Sequence, residues 1–152
     1  MTACAPSTPP VALAPSAQPE PRWAELVRPD HVHGSLYTDP AIFDLELQRI
    51  WRRTWVYVGH VSEVPQPNDF VMKSIGPEPV LMTRDRDGQI HLMHNRCPHR
   101  GNRVCDQHRG NARSFTCNYH GWTFGNDGSL RGYPFPSGYA TDKRQSLGLA
   151  KV

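Results

Sequence analysis

No run of this sequence approaches about 18 apolar residues, so no transmembrane helix is expected. The N-terminus lacks a basic start followed by an apolar segment, so secretion is not indicated and a cytoplasmic location is expected. Cysteine is scarce: Cys4, Cys97, Cys105 and Cys117 are all there are. Four cysteines in an unsecreted chain of 152 residues argue against a disulfide scaffold. Neither charge sign dominates. Lys and Arg number 17 against 14 Asp and Glu, and a net charge of +3 is too weak to indicate nucleic acid. Apolar residues make up only 38%, beside 15 Pro and 12 Gly, so part of the chain is not expected to be folded core. Internal repeats and βαβ spacing are both absent. The length allows one ordinary domain plus an extension, and excludes multi-domain architectures of the usual size.

What is present reads in pieces. Residues 1–21 hold six prolines among Ala, Ser and Thr, a composition expected to stay disordered. A polyproline recognition peptide would need a flanking basic anchor, which is missing. Residues 22–54 are helical in places. Trp23 to Arg28 suit one short turn. A clearer helix begins at Asp39-Pro40, where Asp39 caps free N–H groups and Pro40 suits the first helical position. Ile42, Phe43, Leu47, Ile50 and Trp51 recur at helical spacing and predict one apolar stripe packed on the domain surface. The alternative is a membrane-surface or partner helix.

Residues 55–136 read as β-rich. Trp55 to Gly59, Phe70 to Ile75, Val80 to Thr83, Ile90 to Met93 and Ser114 to Cys117 are strand-like. Asp87-Gly88 and Asp127-Gly128 are hairpin turn signals. A small antiparallel sandwich or barrel-like domain is expected.

The chemistry sits in two loops, Cys97-Pro98-His99-Arg100-Gly101 and Cys117-Asn118-Tyr119-His120-Gly121-Trp122. Seventeen residues separate His99 from Cys117. Each loop supplies one thiolate and one imidazole, and each follows a strand-like segment. Gly101 and Gly121 allow backbone to approach a metal centre without a Cβ in the way. Two metals compete for Cys97, His99, Cys117 and His120. Tetrahedral zinc accepts two cysteines and two histidines, but zinc fingers group the cysteines at one end and carry the histidines on a helix. A mixed pair in each loop suits a [2Fe–2S] centre with two cysteines on one iron and two histidines on the other.

The motifs CPHRG at 97–101 and CNYHGW at 117–122 resemble the Rieske domain family. Within it, the chain is most similar to the α subunit of bacterial aromatic-ring-hydroxylating dioxygenases. The supporting stretches are RTWVYVGHVSEVPQPNDF at 53–70, NRCPHRGNRVC at 95–105, GNARSFTCNYHGWTF at 110–124 and DGSLRGYPF at 127–135. The resemblance spans about residues 30–152 and implies an all-β fold, a small antiparallel Rieske-type iron–sulfur domain over 55–136 with an N-terminal helical segment. Respiratory Rieske proteins carry one further cysteine in each loop, bonded to each other. The matching positions here are Asn102 and Tyr119, so no loop disulfide can form. Stand-alone Rieske ferredoxins use the same four ligands but lack the N-terminal helical approach; such an electron carrier is the alternative reading.

The resemblance also implies a longer α subunit, whose catalytic domain binds a mononuclear non-heme Fe(II) and the aromatic substrate. Residues 137–152 then read as the start of a linker to that domain, the chain reads as truncated, and alone it is not expected to hydroxylate arenes. Implied partners are a ferredoxin or flavin reductase and neighbouring α subunits in a trimer, with or without a β subunit; no nucleic acid or membrane is implied. Arg96, Arg100, Arg103, Arg109 and Arg113 crowd the ligand loops, either as a docking face for an acidic electron donor or as a solvated rim with internal ion pairs. Trp122 and Tyr119 suit shielding of a cluster from water. Cys105 reads as a buried thiol and His94 as structural. His31, His33, His60, His91 and His108 show no ligand spacing.

Overall fold

A computed structural model describes residues 22–139 and 146–152. The expectation of disorder at 1–21 lies outside the described residues, as do residues 140–145 of the expected linker. The chain divides after Arg52 into two compact units.

The first unit is helical. Helix α1 spans Trp23–Leu26, where the sequence suggests a turn, and α2 spans Ser35–Thr38. Helix α3, Pro40–Glu46, starts where Asp39-Pro40 predicts: the Asp39 carboxylate accepts from the Ala41 N–H at 2.8 Å and Pro40 occupies the first turn. The expected apolar stripe is not buried as one face. Ile42 is buried, whereas Phe43, Ile50 and Trp51 are exposed. The helix widens into a π-helical stretch at Leu47–Trp51. Its longer i→i+5 turn rotates the later side chains off the line that α-helical spacing assigns them.

The second unit holds two antiparallel sheets. Strands β1 (Asp69–Ile75), β2 (Glu78–Arg84), β3 (Ile90–His94) and β4 (Arg109–Asn111) form one, in the order β3-β2-β1-β4. Strands β5 (Ser114–Thr116), β6 (Thr123–Gly125) and β7 (Leu130–Gly132) form the other, in the order β5-β6-β7. Asp87-Gly88 and Asp127-Gly128 close the β2–β3 and β6–β7 hairpins, with Gly88 and Gly128 at positive φ.

The strand-like Trp55–Gly59 is no strand. Its alternation is real, because Val56 and Val58 are half-buried while Trp55 and Tyr57 stand in solvent. Among the described residues it pairs with no strand of either sheet. Residues 109–111 occupy the free side of β1, and the C-terminal residues occupy that of β3: Met93 bridges Lys151, and the His94 and Val152 N–H groups donate to the Ala150 and Leu92 carbonyls. No helix among the described residues is long and apolar enough to cross a membrane.

The core lies between the sheets, built from Phe70, Leu81 and Met93 of one and Phe115 and Phe124 of the other, and it includes both Cys97 and Cys117. Phe70 meets Phe115 edge to face at 5.2 Å. Asn126 is a polar tie across the same junction. Its carbonyl accepts from buried Thr83 at 2.5 Å, and its amide donates to Asn68, Arg84 and Ala112, each at 3.3 Å. Cys97 and Cys117 thus sit in the packed core rather than on free loops.

Two carboxylates on these turns predict an acid limit. The hydrogen bond from His91, at 2.7 Å, and the Gln89 and Asp87 N–H groups hold Asp85 below its ordinary value of 3.8. Burial opposes ionisation of Asp127, but its hydrogen bonds from Ser129 and the nearby Arg131 prevail and hold it low as well. A carboxylate whose pKa is lower folded than unfolded stabilises the fold above the unfolded value, and that stability is lost as pH falls through the folded one. Urea midpoints should therefore fall as pH drops below about 4, and Asp85→Asn should fall less steeply than wild type. Parallel curves for the two proteins would refute the assignment.

Candidate metal centre

The two ligand loops fold alike. In the first, the Gly101 N–H donates to the Cys97 carbonyl and the Cys97 N–H to the Asn102 carbonyl, both at 2.8 Å. In the second, the Gly121 N–H donates to the Cys117 carbonyl at 2.9 Å and the Cys117 N–H to the Trp122 carbonyl at 2.8 Å. Each turn closes on a glycine in the left-handed region, at φ +76° for Gly101 and +70° for Gly121. A Cβ at Gly101 would come 3.2 Å from the Arg96 guanidinium, so space as well as φ favours glycine there.

This shared turn aims backbone donors at sulfur. The His99 and Arg100 N–H groups point to the Cys97 thiol, and those of Tyr119 and His120 to the Cys117 thiol. Both cysteines are 2% exposed, and their thiols lie within hydrogen-bonding reach of each other. The His99 and His120 rings meet with centroids 4.6 Å apart. The four residues singled out from the sequence come together as two pairs, thiol with thiol and ring with ring.

The electrostatics of the two thiols differ. Burial pushes the Cys97 thiol up, and the neighbouring Cys117 adds to it. Burial acts on Cys117 too, but the Tyr119 N–H, the Asn102 amide and the His120 N–H outweigh it and hold the thiol below its ordinary value. Burial, then the nearby His99 and Arg100, lower His120 and favour the neutral ring, the form that ligates metal.

Support beneath the loops comes from residues that ligand spacing does not single out. Asn95, 0% exposed, sits between β3 and the first loop. Its amide nitrogen donates to the Cys105 carbonyl at 2.6 Å, and its oxygen accepts from the Val104 and Cys105 N–H groups at 3.0 and 3.1 Å. It thereby ties the two ends of the loop together. The available signal was a short amide side chain directly ahead of a ligand loop. Buried Trp122 lies parallel to His99, centroids 5.0 Å apart, and Tyr119, itself exposed, packs on His120 at 3.8 Å. Cys105 is buried as expected, and burial raises its thiol pKa. His94 lies on β3, and its backbone N–H pairs with Ala150. His91 pairs with Asp85, and His60 caps the 3₁₀ turn Val61–Glu63. Arg96, Arg100, Arg103, Arg109 and Arg113 are all exposed.

The donor set fits a binuclear iron–sulfur centre. Two soft thiolates side by side suit one iron, and two imidazoles side by side suit the other. Among the described residues, no group of three or more His, Cys, Asp or Glu is gathered so as to hold a single ion.

Two short antiparallel sheets carrying paired Cys/His loops define an iron–sulfur electron-transfer domain. Residues 54–143 match the Rieske [2Fe-2S] domain family, and the chain belongs to that family. It is 41% identical over 123 residues to the α subunit of biphenyl 2,3-dioxygenase from Rhodococcus jostii (strain RHA1), covering 76% of this chain and 27% of that one. Among solved structures it is similar to naphthalene 1,2-dioxygenase from Rhodococcus sp., at 36% identity and a TM-score of 0.70, covering 79% of this chain and 28% of that one. It is also similar to a quaternary ammonium Rieske monooxygenase, at 30% identity and a TM-score of 0.69, covering 77% of this chain and 32% of the other. The chain spans about a quarter of the length of the curated relatives it matches.

Proposed function

We propose that Cys97 and Cys117 hold one iron of a [2Fe–2S] cluster and His99 and His120 the other, and that the chain is the electron-transfer portion of a ring-hydroxylating dioxygenase α subunit. The observation that carries this reading is the pairing of thiol with thiol and ring with ring by two equivalent turns. When bound, such a cluster supplies one-electron transfer.

The chain's own residues then have distinct tasks. The N–H groups of His99, Arg100, Tyr119 and His120 donate to the cysteine sulfurs and favour the more negative, reduced state. Trp122 keeps water from one side of His99. The five exposed arginines attract an acidic donor, a ferredoxin or a flavin reductase. The resemblance implies that, in the longer α subunit, a mononuclear non-heme Fe(II) would receive the electron for dihydroxylation of an aromatic ring. A trimer of neighbouring α subunits would suit such a transfer, and inter-subunit electron transfer is described for the monooxygenase relative. A cytoplasmic setting suits cysteines that serve a metal rather than disulfides.

The test is iron, sulfide and zinc analysis of the purified chain, with electron paramagnetic resonance after reduction. About two irons and two acid-labile sulfides per chain are expected. Stoichiometric zinc without labile sulfide would overturn the reading.

A further inference from the structure

The two ligand loops meet at a pair of amides that cluster ligation does not require. The Asn102 side-chain nitrogen donates to the Asn118 side-chain oxygen at 2.7 Å, from the end of the first loop to the middle of the second. The same nitrogen donates to the Arg103 carbonyl at 3.0 Å. A carbonyl only accepts, so the atom facing it must be nitrogen, which fixes the orientation of the Asn102 amide. The Cys117 sulfur lies 3.8 Å from this nitrogen, so the two amide hydrogens are shared among three acceptors, with the sulfur the most distant. Apart from the contact between the two thiols, the hydrogen bonds joining the loops among the described residues both start at Asn102.

We propose that Asn102 and Asn118 form a polar clamp that holds the two ligand loops in register, and that the Asn102 amide additionally tunes the cluster by donating to the Cys117 sulfur. The proposal rests on the cluster reading above. Asn102 is a positioning residue, half-buried and anchored by its own Arg103 carbonyl, so little of its side-chain freedom remains to be lost when it meets Asn118. The clamp is reversible and polar, and it leaves both ligand cysteines free of any disulfide chemistry nearby. A sulfur that carries more negative charge draws an N–H donor more strongly, so the contact favours the reduced state.

The experiment uses the full chain isolated with its cluster, as wild type, Asn102→Leu, Asn118→Ala and the double variant. The first readout is the half-life of cluster absorbance in the presence of an iron chelator, and the second is the midpoint potential by voltammetry. Asn118→Ala should shorten the half-life roughly fivefold, the rate equivalent of about 1 kcal/mol for one lost hydrogen bond. Its potential should stay near that of wild type, because Asn118 does not reach the sulfur. Asn102→Leu should shorten the half-life at least as much and shift the potential to more negative values. The double variant should be no worse than Asn102→Leu, since each single change already breaks the same bond. Unchanged lifetimes in both single variants, losses that multiply in the double variant, or a potential unmoved by Asn102→Leu would each overturn the proposal. Should Asn102→Leu fail to take up a cluster, Asn118→Ala, changed at an exposed position, still decides the clamp through its lifetime. A wild-type chain that takes up no cluster would instead defeat the cluster reading itself.

Discussion

Cys97→Ser is expected to strip the chain of its cluster. Iron should fall from about two per chain to about none, and the signal of the reduced protein should vanish. Serine keeps the shape but offers a hard oxygen that stays protonated, where iron in such a centre needs a soft thiolate. Among the described residues, the one other cysteine, Cys105, is not placed to replace it. Cys105 is buried, its carbonyl and N–H are engaged by Asn95, and its sulfur faces the Gln107 carbonyl. Cys105→Ser makes the same chemical change at a buried thiol outside the ligand set and should leave iron unchanged. The far-UV circular dichroism of Cys97→Ser should remain β-rich, because Phe70, Leu81, Phe115 and Phe124 supply a core of their own. Full iron in Cys97→Ser, or equal loss in both variants, would remove Cys97 from the ligand set.

Asn95→Leu should cost about 3 to 5 kcal/mol of unfolding free energy, measured by urea denaturation of the isolated chain. Leucine is similar in length and apolar, so the pocket stays filled while its polar lining loses every partner. The Val104 and Cys105 N–H groups and the Cys105 carbonyl would then lie buried without the bonds Asn95 supplies. Each such group costs about 1 to 3 kcal/mol when left unpaired. The loss should also loosen the first loop, because Asn95 ties its entry at Cys97 to its exit at Cys105. Asn95→Asp keeps the accepting oxygen and should recover part of the stability. A change below about 1 kcal/mol in Asn95→Leu would mean that water or a shifted backbone satisfies these groups instead.

Both predictions concern one loop but differ in how visible their residues are in the sequence. Cys97, His99, Cys117 and His120 announce themselves because metal chemistry restricts the donor types, and because each pair sits within one turn of chain. The glycines that close those turns, the Asp39-Pro40 helix start and the Asp87-Gly88 and Asp127-Gly128 hairpins are legible for the same reason. Each depends on the φ preference or hydrogen-bonding reach of residues adjacent in the chain.

Asn95 and Asn102 carry no such mark. An asparagine's role depends on which donors and acceptors surround it, and here those come from up to sixteen positions away, as Asn118 does from Asn102. Strands β4, β6 and β7 are equally silent. Each has three residues including a glycine, too few for an alternation to register, and each exists because a neighbour supplies ladder bonds. Trp55–Gly59 fails in the opposite sense: its alternation is strand-like, but it joins neither sheet, and residues 109–111 and 150–152 take the places beside β1 and β3.

The sequence by itself therefore determined the pairing of Cys and His within each loop, the loop turns, the helix start and the all-β class of the second unit, because these follow from local residue types and backbone preferences. Only the tertiary structure decided which edges are paired, how the stripe of α3 and the π-helical stretch is exposed, and which amides brace the loops. Those outcomes depend on competition among distant segments for hydrogen-bond partners and buried space, and residue type alone does not encode who wins.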